Sequence, residues 1–304
     1  MTARADHEPG RGRGGRRHPV LGRSGLPGRW AMRRAERHEE LLDGPLEDAA
    51  ALRGNLRDLR RVNRLLGGTA LSTVALVRLL DHVSGTIGGV HPVPPVRGAA
   101  AVQLLDVGTG AADIPLALLR HARRARLPLA VVAVDSRPEV LDAARAIDAA
   151  LASPDAPRLV VADGRRLPWP DGSFDVAHAS LVLHHLEPPD AVAFLAELRR
   201  VSRRGVIVND LARNRLAWLF AIAGARLLTR NPLTRNDAPL SVRRAYTLPE
   251  VRDLLRAAGL RPVHVGLGLA RYRFAIAAVP SDVPAVGLPA ADAPANAGRA
   301  PERP

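Results

Sequence analysis

The chain has 304 residues, 47% of them hydrophobic but only 3% aromatic, with no cysteine and a net charge of +14. That is enough for one large domain or two small ones, with an aliphatic core. The missing thiol excludes disulfides, thiolate metal sites and a cysteine nucleophile; all 44 basic residues are arginine, which removes Schiff-base chemistry and the lysine of a phosphate-binding loop. The charge invites a nucleic-acid or anionic-membrane reading. Total replacement of Lys by Arg with abundant Ala, Gly and Pro fits compositional bias better, and aromatics interleaved with the arginines are missing.

Residues 1–30 are Gly, Arg and Pro without apolar periodicity and are expected to be a disordered basic arm. No apolar stretch follows the charges as in a secretory signal. Apolar positions Leu46, Ala49, Leu52, Leu56, Leu59, Val62 and Leu66 predict a helix that Gly67-Gly68 stops. A second helix is expected over Ser72–Val83, then a Gly/Pro linker over 85–98, so that 31–98 form a helical cap and linker. From 99 to 280 strands alternate with helices. Strands are expected at Val102–Val107, Leu129–Val134, Arg158–Ala162, Phe174–Ala179 and Gly205–Val208. Helices are expected at Ile114–Arg124, Glu139–Leu151 and Ala191–Val201. Continuous apolar strands between helices imply an α/β fold, a parallel sheet covered on both faces. Thr247 and Glu250 form a capping box for a helix that Gly259 stops. Val263–Leu267 and Tyr272–Val279 then close the sheet as an antiparallel pair. Residues 281–304 are an Ala/Pro-rich tail, expected to be disordered. The longest apolar run in mid-chain, Leu216–Ala225, is far too short to span a membrane, and a cytoplasmic location is expected.

The first strand runs through Asp106 into Gly108-Thr109-Gly110 and a helix. Such a turn lets a ligand approach the backbone. Asp113 stands where a dinucleotide fingerprint has its third Gly, and a carboxylate there repels a pyrophosphate. With Asp106 just before the glycines, the turn suits an ammonium or sulfonium. The second strand ends in Asp135, placed to accept ribose hydroxyls, and the third in Asp163-Gly164, placed to accept from an exocyclic amine. Three acids at successive strand ends mark the edge where open α/β sheets bind ligands.

These motifs, with Leu167-Pro168-Trp169-Pro170-Asp171-Gly172-Ser173-Phe174-Asp175, resemble class I S-adenosylmethionine-dependent methyltransferases over residues 100–280. The resemblance is nearest the branch that holds ubiquinone/menaquinone-biosynthesis enzymes and many small-molecule methyltransferases. It implies a Rossmann-like seven-stranded sheet of order 3-2-1-4-5-7-6 with only strand 7 antiparallel, and S-adenosylmethionine as cofactor. It also implies that Asp106, Gly108 and Gly110 lie against the methionine part, Asp135 on the ribose, and Asp163 with Gly164 at the adenine end. Ala112 replaces a glycine common in the family. Asn209-Asp210-Leu211, Asn236-Asp237 and Ser241–Thr247 resemble an actinobacterial-type subgroup associated with polyketide or quinone-like metabolites.

Methyl transfer from a sulfonium is an in-line displacement that mainly needs alignment and dryness. A base is needed only when the acceptor must lose a proton. His184 and His185 follow the fourth strand and are candidates for it; His178, inside that strand, reads as structural. Asn209 and Asp210 end the fifth strand and are candidate polar groups of the acceptor pocket, Asp210 as a catalytic residue. Leu216–Ala225, with Trp218 and Phe220, is expected to be an apolar lid over an aromatic or polyketide-like acceptor. The two N-terminal helices and residues 211–246 are expected to fold over the edge carrying the three acids. The residues nominate no metal site, and a nucleic-acid partner is not expected. An RNA methyltransferase is the alternative, disfavoured because Ala179-Ser180-Leu181-Val182 replaces the Asn/Asp-Pro-Pro-aromatic motif of amino-group base methylation. A non-catalytic cofactor-binding scaffold is the other.

Overall fold

The structure, a computed structural model, describes residues 32–36, 38, 40–44, 48–84 and 101–282. The expected basic arm, the Gly/Pro linker and most of the tail lie outside these residues, as does Leu46.

Strands β1 (Val102–Val107), β2 (Leu129–Asp135), β3 (Arg158–Val161), β4 (Phe174–Ser180), β5 (Ser202–Leu211), β6 (Leu260–Leu267) and β7 (Arg273–Pro280) form one sheet. Its order is 3-2-1-4-5-7-6. Strands β1 to β5 run parallel, and β7 lies antiparallel between β5 and β6. The alternation of the pleat sorts the core. Leu104 faces one side with Val176, Ile207, Ala275 and Ala277, while Leu105 faces the other with Ala177, Val206, Val208 and Ile276. Strand β5 is longer than Gly205–Val208: at its start Arg203 and Arg204 pair with Asp175 at 3.2 and 2.9 Å, and at its end Asn209–Leu211 pair with β7.

Helices α1 (Ala49–Leu65), α2 (Gly68–Val83), α3 (Asp113–Arg124) and α4 (Pro138–Ile147) precede β3. Asp48 caps α1 by accepting from the amides of Ala50 and Ala51. Gly67, at φ +80°, turns the chain straight into α2, which therefore starts four residues before Ser72. Leu76 and Leu79 of α2 and Ile114 and Leu118 of α3 cover the Leu104 face. Thus α2 is a layer of the sheet, and α1 is the element that reaches the ligand edge. On the other face lie α5 (Pro188–Val201) and α8 (Leu248–Ala257), through Leu195, Leu198, Leu254 and Leu255. The Thr247–Glu250 capping box is present at α8.

Helices α6 (Arg215–Leu228) and α7 (Pro232–Arg244) occupy the segment after β5. Helix α6 buries Ala217, Ala221 and Ala225, and Trp218 packs on the same cluster as Leu211, Val242 and Tyr272. Phe220 is 52% exposed: it points away from the interior and does not line an acceptor pocket. Among the described residues no helix is long and apolar enough to cross a membrane.

Candidate active site

A cavity of about 340 Å³ opens at the C-terminal ends of β1, β2 and β4, under α1. Asp106, Gly108, Gly110, Asp113 and Asp135 line it, with Leu56, Leu59 and Asn63 of α1 opposite. The turn is tight. Gly108 and Gly110 have φ of +70° and +52°, and a Cβ on Gly108 would lie 2.4 Å from Val182 Cγ2. A Cβ on Gly110 would meet only Leu56, at 4.0 Å, so the space before it is a cradle left for a ligand. Ala112 also takes a left-handed conformation, φ +51°, at the start of α3, which a Cβ tolerates at modest cost.

Asp135 accepts from the amides of Gly110 (3.0 Å) and Arg137 (3.2 Å) and so braces the turn. Burial lifts its carboxyl above the ordinary aspartate value, more than those two amides lower it. Asp113 is lifted likewise by burial, against a hydrogen bond from Asn63. Asp163 stands at the end of β3, outside the lining of the cavity, and is held below its usual pKa by hydrogen bonds from Arg165. Gly164 has a packing reason for its small size: a Cβ there would lie 2.6 Å from Val107 and 3.1 Å from Phe194.

Asp106 belongs to a buried polar chain. It bonds His178 Nδ1 at 2.5 Å, and His178 Nε2 meets Ser72 Oγ at 2.8 Å. Ser72 Oγ accepts from Asn209 Nδ2, and Asn209 Oδ1 accepts from Arg273 Nε. Arg273, wholly buried, also donates to Asn63 and Ser180, and Asn63 donates to Asp113. Asn209 is therefore a member of this chain and not a group of the acceptor pocket. His178 is structural, as read from the strand. Arg273 was not singled out in the sequence; an arginine opening an apolar strand among 44 basic residues carries no signal of burial.

Past β4 the backbone is strained. Leu181 has φ +58°, unusual for a branched side chain and typical of functional turns. It sets the 3-10 turn Leu183–His185. There His184 is 3% exposed, with Nδ1 at 2.6 Å from Asp210 Oδ1. Burial alone would raise the Asp210 carboxyl, but His184 beside it holds it low. His184 and His185 stack with ring centroids 4.2 Å apart.

Both face a second cavity, of about 110 Å³, whose walls include Val62, Leu181, Leu211, Ala238 and Tyr272. Leu42, Leu59, Leu181 and His185 line both cavities, so His185 stands at their junction. Glu40 completes this corner. Its Oε1 is 3.7 Å from His184 Nε2 and 4.0 Å from His185 Nδ1. Ligand atoms of Glu40, His184 and His185 lie within 4.8 Å of one another, a set able to hold a cation. Arg244 already brings a positive charge to 3.9 Å from the same oxygen. Glu40 and Arg244 are site residues that sequence reading missed, because long-range packing alone brings them to the histidines.

Residues 105–208 match the family described as a methyltransferase domain. No curated protein sequence matches the chain. Among solved structures it is similar to a SAM-dependent methyltransferase from Aquifex aeolicus, at 20% identity over 74% of this chain and 97% of that one, TM-score 0.47. It is similar to magnesium protoporphyrin IX methyltransferase from Synechocystis PCC 6803 with bound SAH, at 19% identity over 72% and 87%, TM-score 0.47. It is also similar to an O-methyltransferase family 2 protein from Planctomyces limnophilus DSM 3776 in complex with apigenin, at 19% identity over 71% and 62%, TM-score 0.46. The family match lies on the strands that carry Asp106, the glycine turn and Asp135, and the cradle that these form is acidic, as a sulfonium and an ammonium require.

Proposed function

We propose that the protein methylates a small apolar acceptor, aromatic or of polyketide or quinone type, on oxygen or carbon. The carrying observation is the pair of adjoining cavities, one edged by Asp106, Asp113 and Asp135, the other set between an apolar wall of Val62, Leu211, Ala238 and Tyr272 and the polar groups Glu40, His184 and Asp237, with His185 and Leu181 shared between them. When bound, S-adenosylmethionine supplies an electrophilic methyl group on a sulfonium centre. Asp106 and Asp113 hold the positive methionine end by charge. Asp135 accepts from the ribose hydroxyls with the lone pairs that Gly110 and Arg137 leave free. Asp163 takes the adenine end beside Gly164, exchanging its pair with the exposed Arg165. Leu42, Leu56 and Leu59 exclude water above them.

In the second cavity His184 acts as the base. Its Nδ1–H donates to Asp210, which leaves the Nε2 lone pair facing the cavity and stabilises the imidazolium once a proton is taken. His185 positions the acceptor at the junction.

The test is incubation with methyl-labelled S-adenosylmethionine and a panel of polyphenols, quinols and polyketides, read by mass spectrometry. A labelled product is expected from this panel and not from RNA. For a phenol, His184→Gln is expected to lower kcat roughly 10²-fold. Labelling of RNA alone would overturn the acceptor class, and an unchanged kcat in His184→Gln would remove the base.

A further inference from the structure

Helix α6 has two apolar faces. Its alanine face, Ala217, Ala221 and Ala225, is buried. The opposite stripe, Leu216, Leu219, Phe220, Ala223 and Leu227, follows helical spacing and is exposed throughout. The large members are 50%, 55%, 52% and 81% exposed, and Leu228 is 76% exposed. Of the twelve exposed large hydrophobic residues among those described, five lie on this one helix. Scattered single leucines on a surface need no explanation, but a continuous stripe does. The tip Leu269, 74% exposed, lies in the 3-10 turn beside α6.

The charges around the stripe say what covers it. Residues 211–236 contain five arginines and no Asp or Glu. Arg213 is committed to Glu250, while Arg215, Arg226, Arg230 and Arg235 are exposed. At 100° per residue, Arg215 and Arg226 fall along one border of the stripe, next to Leu219. A second copy of this chain would bring arginines against arginines. An anionic surface with an apolar interior meets both the stripe and its border.

We propose that α6 is a membrane-contact helix that seats the protein on an anionic phospholipid surface, lying in the interface with Leu216, Leu219, Phe220 and Leu227 among the acyl chains. The alanine face of the same helix packs on Leu211 and Tyr272, which wall the second cavity. Helix α6 thus stands behind two wall residues of the second cavity, between them and the surface. This inference is independent of the acceptor chemistry, since it rests on the outer face of the helix.

The test is flotation of the full chain with phosphatidylcholine vesicles, with and without phosphatidylglycerol. Binding is expected to the mixed vesicles, to weaken with salt, and to be at least tenfold lower on phosphatidylcholine alone. The double variant Leu219→Gln with Phe220→Gln is expected to lose at least tenfold in vesicle affinity at unchanged melting and donor affinity. Should it melt early, Leu227→Gln, the most exposed position of the stripe, replaces it. Arg226→Glu with Arg230→Glu is expected to lose about fivefold or more per charge. Full vesicle binding by the glutamine variant would overturn the proposal, since charge elsewhere would then suffice. No vesicle binding, with a concentration-dependent dimer that the glutamine variant abolishes, would overturn it in favour of a second copy.

Discussion

Asp113 opens α3 with a buried carboxyl whose pKa burial raises. A raised folded-state value means that the native protein holds the proton more tightly than the unfolded chain. Stability therefore falls as pH rises from the unfolded value of 3.8 through the folded one, and the cost is fully present at neutral pH. Asp113→Asn is expected to melt higher than the parent at pH 7, with the difference shrinking below pH ~4, while donor affinity falls by roughly 1.5–3 kcal/mol as a charge-assisted contact is lost. Calorimetry on both variants, with and without donor, separates the two effects. Asp135 adds a second expectation. In the proposed role on the ribose its ionised form is the stronger acceptor, and its pKa is raised by burial. Donor affinity should therefore fall as pH drops through a value above 3.8, and Asp135→Asn should remove that dependence in a titration. Asp106, Gly108, Gly110 and Asp135 were readable from the sequence because a strand end and a glycine turn fix them locally. Arg273, Glu40 and Arg244 were not, because each acquires its place only when distant elements meet.

At the scale of elements, α1 meets the ligand edge because it seats against α7. Asp58 accepts from Thr229 and from Thr234 at 3.0 Å, and Asn231 Nδ2 donates to Ala51 O. Gly54 allows this approach: a Cβ on it would stand 2.5 Å from Asn231 Nδ2. Gly54→Leu is expected to push α1 off α7. Donor affinity should then fall at least tenfold, while the sheet, which α1 does not cover, keeps its far-ultraviolet signature; equilibrium binding with circular dichroism checks both. The apolar stripe of α1 was readable from spacing, and the capping box placed the start of α8. Helix α6 shows where spacing stops informing. A helix apolar all round implies burial on both sides, and nothing in Leu216–Ala225 tells which face turns inward; small alanines, which allow close approach to Leu211 and Val242, decide it.

For the whole molecule, strand order followed from the family resemblance and agrees with the sheet observed, while strand ends shifted by a few residues. Residues 1–30 carry no periodic apolar position, so their deletion is expected to leave methyl transfer within about threefold of the full chain, measured on the same acceptor; a salt-sensitive loss of RNA binding on deletion would signal a separate role for the arm. The placement of α2 has a further consequence. The stretch similar to the methyltransferase domain family spans residues 105–208, yet the sheet face beneath α2 carries Leu104, Val176, Ile207, Ala275 and Ala277. Gly205 leaves room for Leu79 there, since a Cβ would come within 3.0 Å of it. Ser72 of the same helix supplies the hydroxyl between His178 and Asn209. A fragment of residues 105–208 would lack α2, β6 and β7, leaving Val176 and Ile207 uncovered and His178 without its Ser72 partner, and would be prone to clump. The stretch of homology and the buried core therefore have different borders, and a graft of this ligand edge into another protein has to carry α2 from upstream of β1, and β6 and β7 from downstream, with it.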